Sequence, residues 1–199
     1  MDSKQVQANI ISIAGQSGSG KTTFLEKLIP HLSKKGYRIG VIKHAHCTVE
    51  MEKKGKDSWR HKEAGAAATL VISPNLISMV KDYKEPNFVE ELIDAKQENF
   101  NYYESLLIEN ARNYLFDMDI IIVEGFKYAP IPKFEIFRVA AGHDKPLFLD
   151  DKNFLYDKNL VGFITDSDYR VNVPCFGLDD TKLVADFIEK QYLYCISDK

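Results

Sequence analysis

The chain has 199 residues, 45% of them hydrophobic, with a formal net charge of −3 and three cysteines. Length and apolar content suffice for one core, so a single domain over 1–199 is expected, and the slightly acidic balance gives no electrostatic case for nucleic acid as an obligatory partner. No run approaches the roughly twenty apolar residues of a membrane helix; the polar opening MDSKQVQAN is unlike a signal peptide; and Cys47, Cys175 and Cys195 offer neither pairing arithmetic nor a C-x-x-C, so a reducing cytoplasm without membrane attachment is expected.

The first element is a short β-branched run, Ile10, Ile11, Ile13 and Ala14, which reads as a fully buried strand. GQSGSGKTT follows directly, from Gly15 to Thr23. Gly15, four residues, Gly20, Lys21 and Thr22 satisfy G-x-x-x-x-G-K-[ST], the phosphate-binding Walker A loop, whose required context is a strand before it and a helix after it. The helix is predicted from Leu25, Leu28, Ile29 and Leu32 at helical spacing, with Pro30 kinking it and Gly36 stopping it. Gly18 and Gly20 let backbone N–H groups turn inward around phosphate oxygens, and the helix aims its positive dipole end at the same place. Lys21 is the candidate for the β- and γ-phosphates and the Thr22 hydroxyl a candidate Mg²⁺ ligand.

YRIGVIK (Tyr37 to Lys43) reads as the second strand, and Lys43, His44, His46 and Cys47 follow it. H-x-H-C suits zinc or nickel; against this, no second Cys/His pair lies at finger spacing, and a strand-end loop beside a phosphate loop serves phosphate contacts equally well. In GKDSWRHKEAGA a short helix around Ser58 to Ala64 places Asp57, Arg60 and His61 at i, i+3 and i+4, on one face. Asp57 there reads either as a helix N-cap or as a contact to nucleotide or Mg²⁺. AATLVIS (Ala67 to Ser73) and LISMVKD, joined by Pro74-Asn75, predict a hairpin. From Glu85 to about Phe116 the pattern is helical and acidic, with Phe88, Leu92, Leu106, Leu107, Ile108 and Leu115 as candidate buried positions.

DIIIVEGF (Asp119 to Phe126) is the second unmistakable strand. Four apolar residues carry Glu124 to its carboxyl end, where ligands of open parallel sheets sit. Mg²⁺ takes one or two carboxylates, so Glu124 is its candidate ligand, and Gly125 lets backbone approach a γ-phosphate. KFEIFRV and NLVGFITD follow, then a closing helix from about Asp179 to Tyr194 with an apolar stripe of Leu183, Val184, Phe187 and Ile188. No N-K-x-D is present, but an aspartate at Thr165-Asp166 can accept hydrogen bonds from guanine N1–H and N2–H, a donor pair adenine lacks; a strand-ending turn acid is the alternative. Alternating elements indicate an α/β fold, a sheet covered by helices.

Taken together, GQSGSGKTT, VIKHAH, GKDSWRHKEAGA and IVEGFK, followed by PKFEIFR and AAGH, make the chain resemble the MobB family, molybdopterin-guanine dinucleotide biosynthesis protein B, from about Ile10 to Phe187. The resemblance implies a P-loop NTPase of the class that includes signal-recognition GTPases and dethiobiotin synthetase: a mostly parallel central sheet flanked by helices, here with an additional β-hairpin and a helical insertion over 85–116. It also implies GTP and Mg²⁺ as ligands, weak GTP hydrolysis, a homodimer, and an accessory role beside the MobA guanylyltransferase that joins GMP to molybdopterin. Carried over residue by residue, phosphate binding falls on Gly15, Ser17, Gly18, Ser19, Gly20, Lys21, Thr22 and Thr23, and the metal on Thr22, Asp57 and Glu124, with Lys21, Asp57 and Glu124 as the catalytic candidates. His44, His46, Ser58, Arg60, His61, Lys127, Lys133 and Arg138 match motif positions without an assigned role. Val49-Glu50-Met51-Glu52 departs from the aspartate pair that family members often carry there. Three other readings stay open: a phosphotransferase of the dethiobiotin-synthetase type, a GTP-dependent metal chaperone using His44, His46 and Cys47, and a non-catalytic scaffold that GTP holds in shape.

Overall fold

A computed structural model describes residues 9–43, 53–82, 100–149, 157–169 and 171–193. The chain divides into two compact units, Met1–His44 with Asn99–Lys199, and Ala45–Glu98, where composition alone points to one domain. The division arises because the middle segment pairs its strands with each other and contributes none to the larger sheet.

The first unit is a six-stranded parallel sheet in the order β2-β5-β1-β6-β7-β8. Its strands are β1 (Asn9–Ala14), β2 (Ile39–Lys43), β5 (Ile120–Glu124), β6 (Lys133–Phe137), β7 (Leu160–Thr165) and the short β8 (Cys175–Phe176), which the sequence did not signal. Strands buried on both faces need apolar residues at successive positions, and β5 shows the consequence. Ile120 and Ile122 point to the face covered by α1 (Lys21–Lys34) and α4 (Thr181–Ile188), among Phe24, Leu28, Leu32, Val184 and Ile188. Ile121 and Val123 point to the opposite face, where they meet Leu107 and Ala111 of α3 (Phe100–Tyr114). By this period of two, Glu124 falls on the α1 face. The strand order turns around β1, so the loop leaving its carboxyl end opens at a topological switch point.

The elements refine several expectations in detail. α1 continues past Pro30, which lies inside it, to Lys34. Leu183 is 54% exposed, so the stripe of α4 is carried by Val184, Ala185 and Ile188, and the helix passes at Glu189–Leu193 into a π segment. Of the stretch 85–116, α3 supplies the described part, with Leu107 buried at 1% exposure and Leu115 packed against the same cluster. Phe88 and Leu92 lie outside the described residues, as do His44, His46 and Cys47.

The second unit contains α2 (Asp57–Glu63) and an antiparallel hairpin of β3 (Ala68–Ser73) and β4 (Leu76–Lys81), turning at Pro74-Asn75 as the sequence indicates.

Candidate phosphate site

Between β1 and α1 the backbone takes three left-handed glycines: Gly15 (φ 147°), Gly18 (φ 77°) and Gly20 (φ 94°). At Gly15 a β-carbon would lie 2.5 Å from the Ile136 carbonyl oxygen and 2.7 Å from Ser19 Oγ, so no other residue fits there. Gly20 is the N-cap of α1 and offers no side chain to cap it, and the first turn holds no acidic residue. The opening N–H groups are therefore left for an outside acceptor, at the positive end of the helix dipole. The Ser19 hydroxyl is buried and has no hydrogen-bond partner among the described residues. A buried hydroxyl without a partner carries a desolvation cost, which an anion oxygen in the loop would offset.

Lys21 folds over this loop and donates to the carbonyls of Gly15 at 3.0 Å and Gln16 at 2.7 Å. Its ammonium is held below the ordinary lysine range, first by burial, against which the Glu124 carboxylate pulls upward while Lys43 and Lys127 push down. Neither carbonyl carries a formal charge, so phosphate is the stronger acceptor for this cation.

Thr22 Oγ1 donates to Glu124 Oε1 at 2.7 Å, and Lys43 Nζ stands 3.3 Å from the same oxygen. Glu124 is 9% exposed, so it does not end its strand at the surface. Two hard oxygens at this separation fit the neighbouring ligands of one octahedral Mg²⁺, which lie about 3 Å apart when each is about 2.1 Å from the ion. The donor set therefore suits the ion.

Neighbouring loops brace the site. Gln16 Nε2 donates to the Lys145 carbonyl at 2.8 Å, and His143 Nε2 donates to the Ser17 carbonyl at 2.8 Å, which gives the AAGH stretch a place beside the phosphate loop. Under Leu147 and Phe148 lies Glu135, 1% exposed, accepting from the N–H group of Leu147 and, at 3.2 Å, from that of Phe148. On the same face of β6, fully buried Lys133 donates to Asp157 at 2.6 Å and to the Lys127 carbonyl at 3.0 Å. The PKFEIFR motif thus carries two buried ionisable side chains, which its alternation of charged and apolar residues foreshadows without revealing their partners.

Asp166 follows β7 and is exposed; its Oδ1 accepts from the Val139 N–H at 2.9 Å, and Oδ2 has no partner among the described residues. Asp57 belongs to the second unit, at the first turn of α2, 90% exposed and 3.9 Å from Arg60 Nη1. Ser17, Gly18, Thr22 and Thr23 all face solvent around the loop mouth. The geometry thus gathers Gly15 to Thr23 with Glu124, and adds Lys43 and Lys127.

A profile of the family described as molybdopterin guanine dinucleotide synthesis protein B matches residues 10–166. The molybdopterin-guanine dinucleotide biosynthesis adapter protein of Escherichia coli K12 is 33% identical over 179 residues, 90% of this chain and 90% of the relative. The adapter protein of the same description from Haemophilus influenzae is 30% identical over 183 residues, 92% of this chain and 89% of its own. The crystal structure of Bacillus subtilis MobB superposes with a TM-score of 0.63 at 25% identity, covering 92% of this chain and 98% of that one. With a match over residues 10–166 and relatives at 30–33% identity over nearly the whole length, the chain belongs to the MobB family.

Proposed function

We propose that this chain is a GTP-binding adapter in the synthesis of molybdopterin guanine dinucleotide, hydrolysing GTP slowly and working in the cytoplasm beside a MobA-type guanylyltransferase. The observation that carries the reading is the convergence of Lys21, Thr22 and Glu124 at the mouth of a glycine loop whose Ser19 hydroxyl lacks a partner. The names of the curated relatives supply the adapter role.

In this reading the loop N–H groups of Gly15 to Thr23 cradle the phosphates and Lys21 exchanges its two carbonyls for β- and γ-phosphate oxygens. Thr22 and Glu124 would hold Mg²⁺, which when bound neutralises charge on those oxygens. Glu124 is engaged by Thr22 and Lys43, so it serves the ion and does not take a proton from water, which keeps hydrolysis slow. Asp166 offers Oδ2 to guanine N1–H and N2–H, whereas Asp57, on α2, is exposed and stands 3.9 Å from Arg60. Arg60 and His61 share its helix and suit the phosphate of molybdopterin. The exposed apolar hairpin supports a homodimer.

Calorimetric titration with GTP and ATP, with and without Mg²⁺, tests this. GTP should bind more tightly than ATP and depend on Mg²⁺; equal affinities would sink the guanine assignment. Turnover in the range of roughly 1–100 per second with an acceptor present would mark a phosphotransferase instead.

A further inference from the structure

The chain turns sharply after Glu124. Gly125 (φ 99°) and Phe126 (φ 49°) are both left-handed, and Phe126 is the one non-glycine residue with positive φ among the described residues. A phenylalanine holds that strained conformation only where its surroundings over-determine it, and here they do. Ser12 Oγ donates to the Gly125 carbonyl at 2.8 Å, the Gly125 N–H to the Ile13 carbonyl at 3.3 Å, and the Ala129 N–H to the Phe126 carbonyl at 3.0 Å. The Phe126 ring is buried with Val123 and Ile131. From beneath, the buried Lys133 ammonium, itself held by Asp157, donates to the Lys127 carbonyl at 3.0 Å.

All of this fixes the main chain of Lys127, three residues beyond the carboxylate. Its side chain is left without an ionic partner among the described residues. The half-buried ammonium rests 4.8 Å from the centroid of the Tyr128 ring. That ring is 43% exposed, and a cation over an exposed ring is held more weakly than one bonded to an anion. The charges of Lys43 and Lys127 both act on the Lys21 ammonium, and Glu124, 3.3 Å from Lys43, is the carboxylate that opposes them. Folding gains nothing by gathering like charges, whereas a bound polyanion does.

The position decides which part of the polyanion is met. Loop N–H groups hold the inner phosphates, and the metal pair Thr22 and Glu124 belongs to the β- and γ-oxygens. Lys127 follows Glu124 by three residues and its charge reaches Lys21, so it groups with the cations assigned to the β- and γ-phosphates and not with the loop N–H groups. We propose that Lys127 reads the terminal phosphate, engaging a nucleoside triphosphate but not a diphosphate, so that the rigid Gly125–Lys127 turn distinguishes the two nucleotide states. This rests on the phosphate-loop reading above and adds to it the residue that senses hydrolysis.

The test is calorimetric titration of GTP and GDP at fixed Mg²⁺ into wild type, Lys127→Met, Lys127→Gln, Lys127→Arg and the exposed control Lys34→Ala. Methionine keeps the aliphatic stem and removes the charge; glutamine does the same with a polar end should methionine disturb folding, which thermal unfolding checks. Lys127→Met should weaken GTP about tenfold and GDP by less than about twofold, and Lys127→Arg should restore most of the GTP preference. Lys34→Ala should match wild type. Equal weakening of both nucleotides, or of neither, overturns the assignment of Lys127 while the phosphate loop stands. Wild type that binds neither nucleotide overturns the phosphate loop and this inference with it.

Discussion

Lys21 makes its described hydrogen bonds to two loop carbonyls and none to the core, so its removal separates binding from folding. Lys21→Ala should lower GTP affinity at least about a hundredfold, through loss of a charge-assisted phosphate contact, while shifting the melting temperature by no more than a few degrees. Unchanged affinity would remove the phosphate loop from the site. Glu124→Gln poses the complementary question. Its amide still accepts the Thr22 hydrogen bond, but it loses the charge that attracts a divalent ion. GTP should still bind, with the Mg²⁺ dependence of that binding flattened; a steep dependence in the variant would place the ion elsewhere. That Lys21, Thr22 and Glu124 come together was legible from motif spacing: four loop positions and a carboxylate after four apolar residues. The left-handed turn at Gly125 and Phe126 was not, because it leaves no signal in spacing, and Lys127 could be noted only as a motif position without a role.

Strand β6 is the element whose chemistry departs furthest from its sequence pattern. KFEIF alternates charged and apolar residues, as a strand with one wet face does, yet all five residues are buried. Phe134 and Ile136 enter the α1 face, while Lys133 and Glu135 lie under Leu147 and Phe148. Nothing local in the sequence says that a loop covers them, since their partners Asp157 and Phe148 are distant in the chain. Burial pushes the Glu135 carboxyl up from 4.5 to about 7, outweighing the two N–H groups that favour its ionised form. Between those values the folded chain binds more protons than the unfolded chain, so stability falls as pH rises through the window and is level above it. The full effect is about 3 kcal/mol. Glu135→Gln lacks that titration. Denaturant unfolding at pH 4.5 and pH 8 should therefore show the variant gaining about 2–3 kcal/mol relative to wild type at the higher pH. A difference independent of pH would mean that the carboxyl titrates in its ordinary range. The rest of the fold was readable from apolar runs, and what was missed follows the same logic: β8 has two residues and no period, and Leu183 satisfies the α4 spacing but falls outside the arc that α1 covers.

At the scale of the whole molecule, the second unit raises a stability problem. A two-stranded sheet alone is marginal in water, and this one carries Leu70, Ile72, Ile77 and Met79 at 56%, 70%, 67% and 44% exposure. The antiparallel register pairs Leu70 with Met79 and Ile72 with Ile77, so all four share one face. Such a continuous apolar patch marks an interface. A second copy of the chain presents the same patch, and an isologous contact lets each hairpin cover the other. Covering four such side chains contributes about 5 kcal/mol before the cost of association. Placing lysines opposite each other at the centre should abolish that gain and add repulsion. If the proposed homodimer forms through this face, wild type should sediment as a dimer and the double variant Ile72→Lys, Ile77→Lys as a monomer at the same concentration. Its nucleotide affinity should be unchanged, since the phosphate loop, Glu124 and Lys127 all belong to the first unit. A variant that stays dimeric would move the interface off this face of the hairpin; one that becomes monomeric and also loses GTP would show that the site needs the second chain.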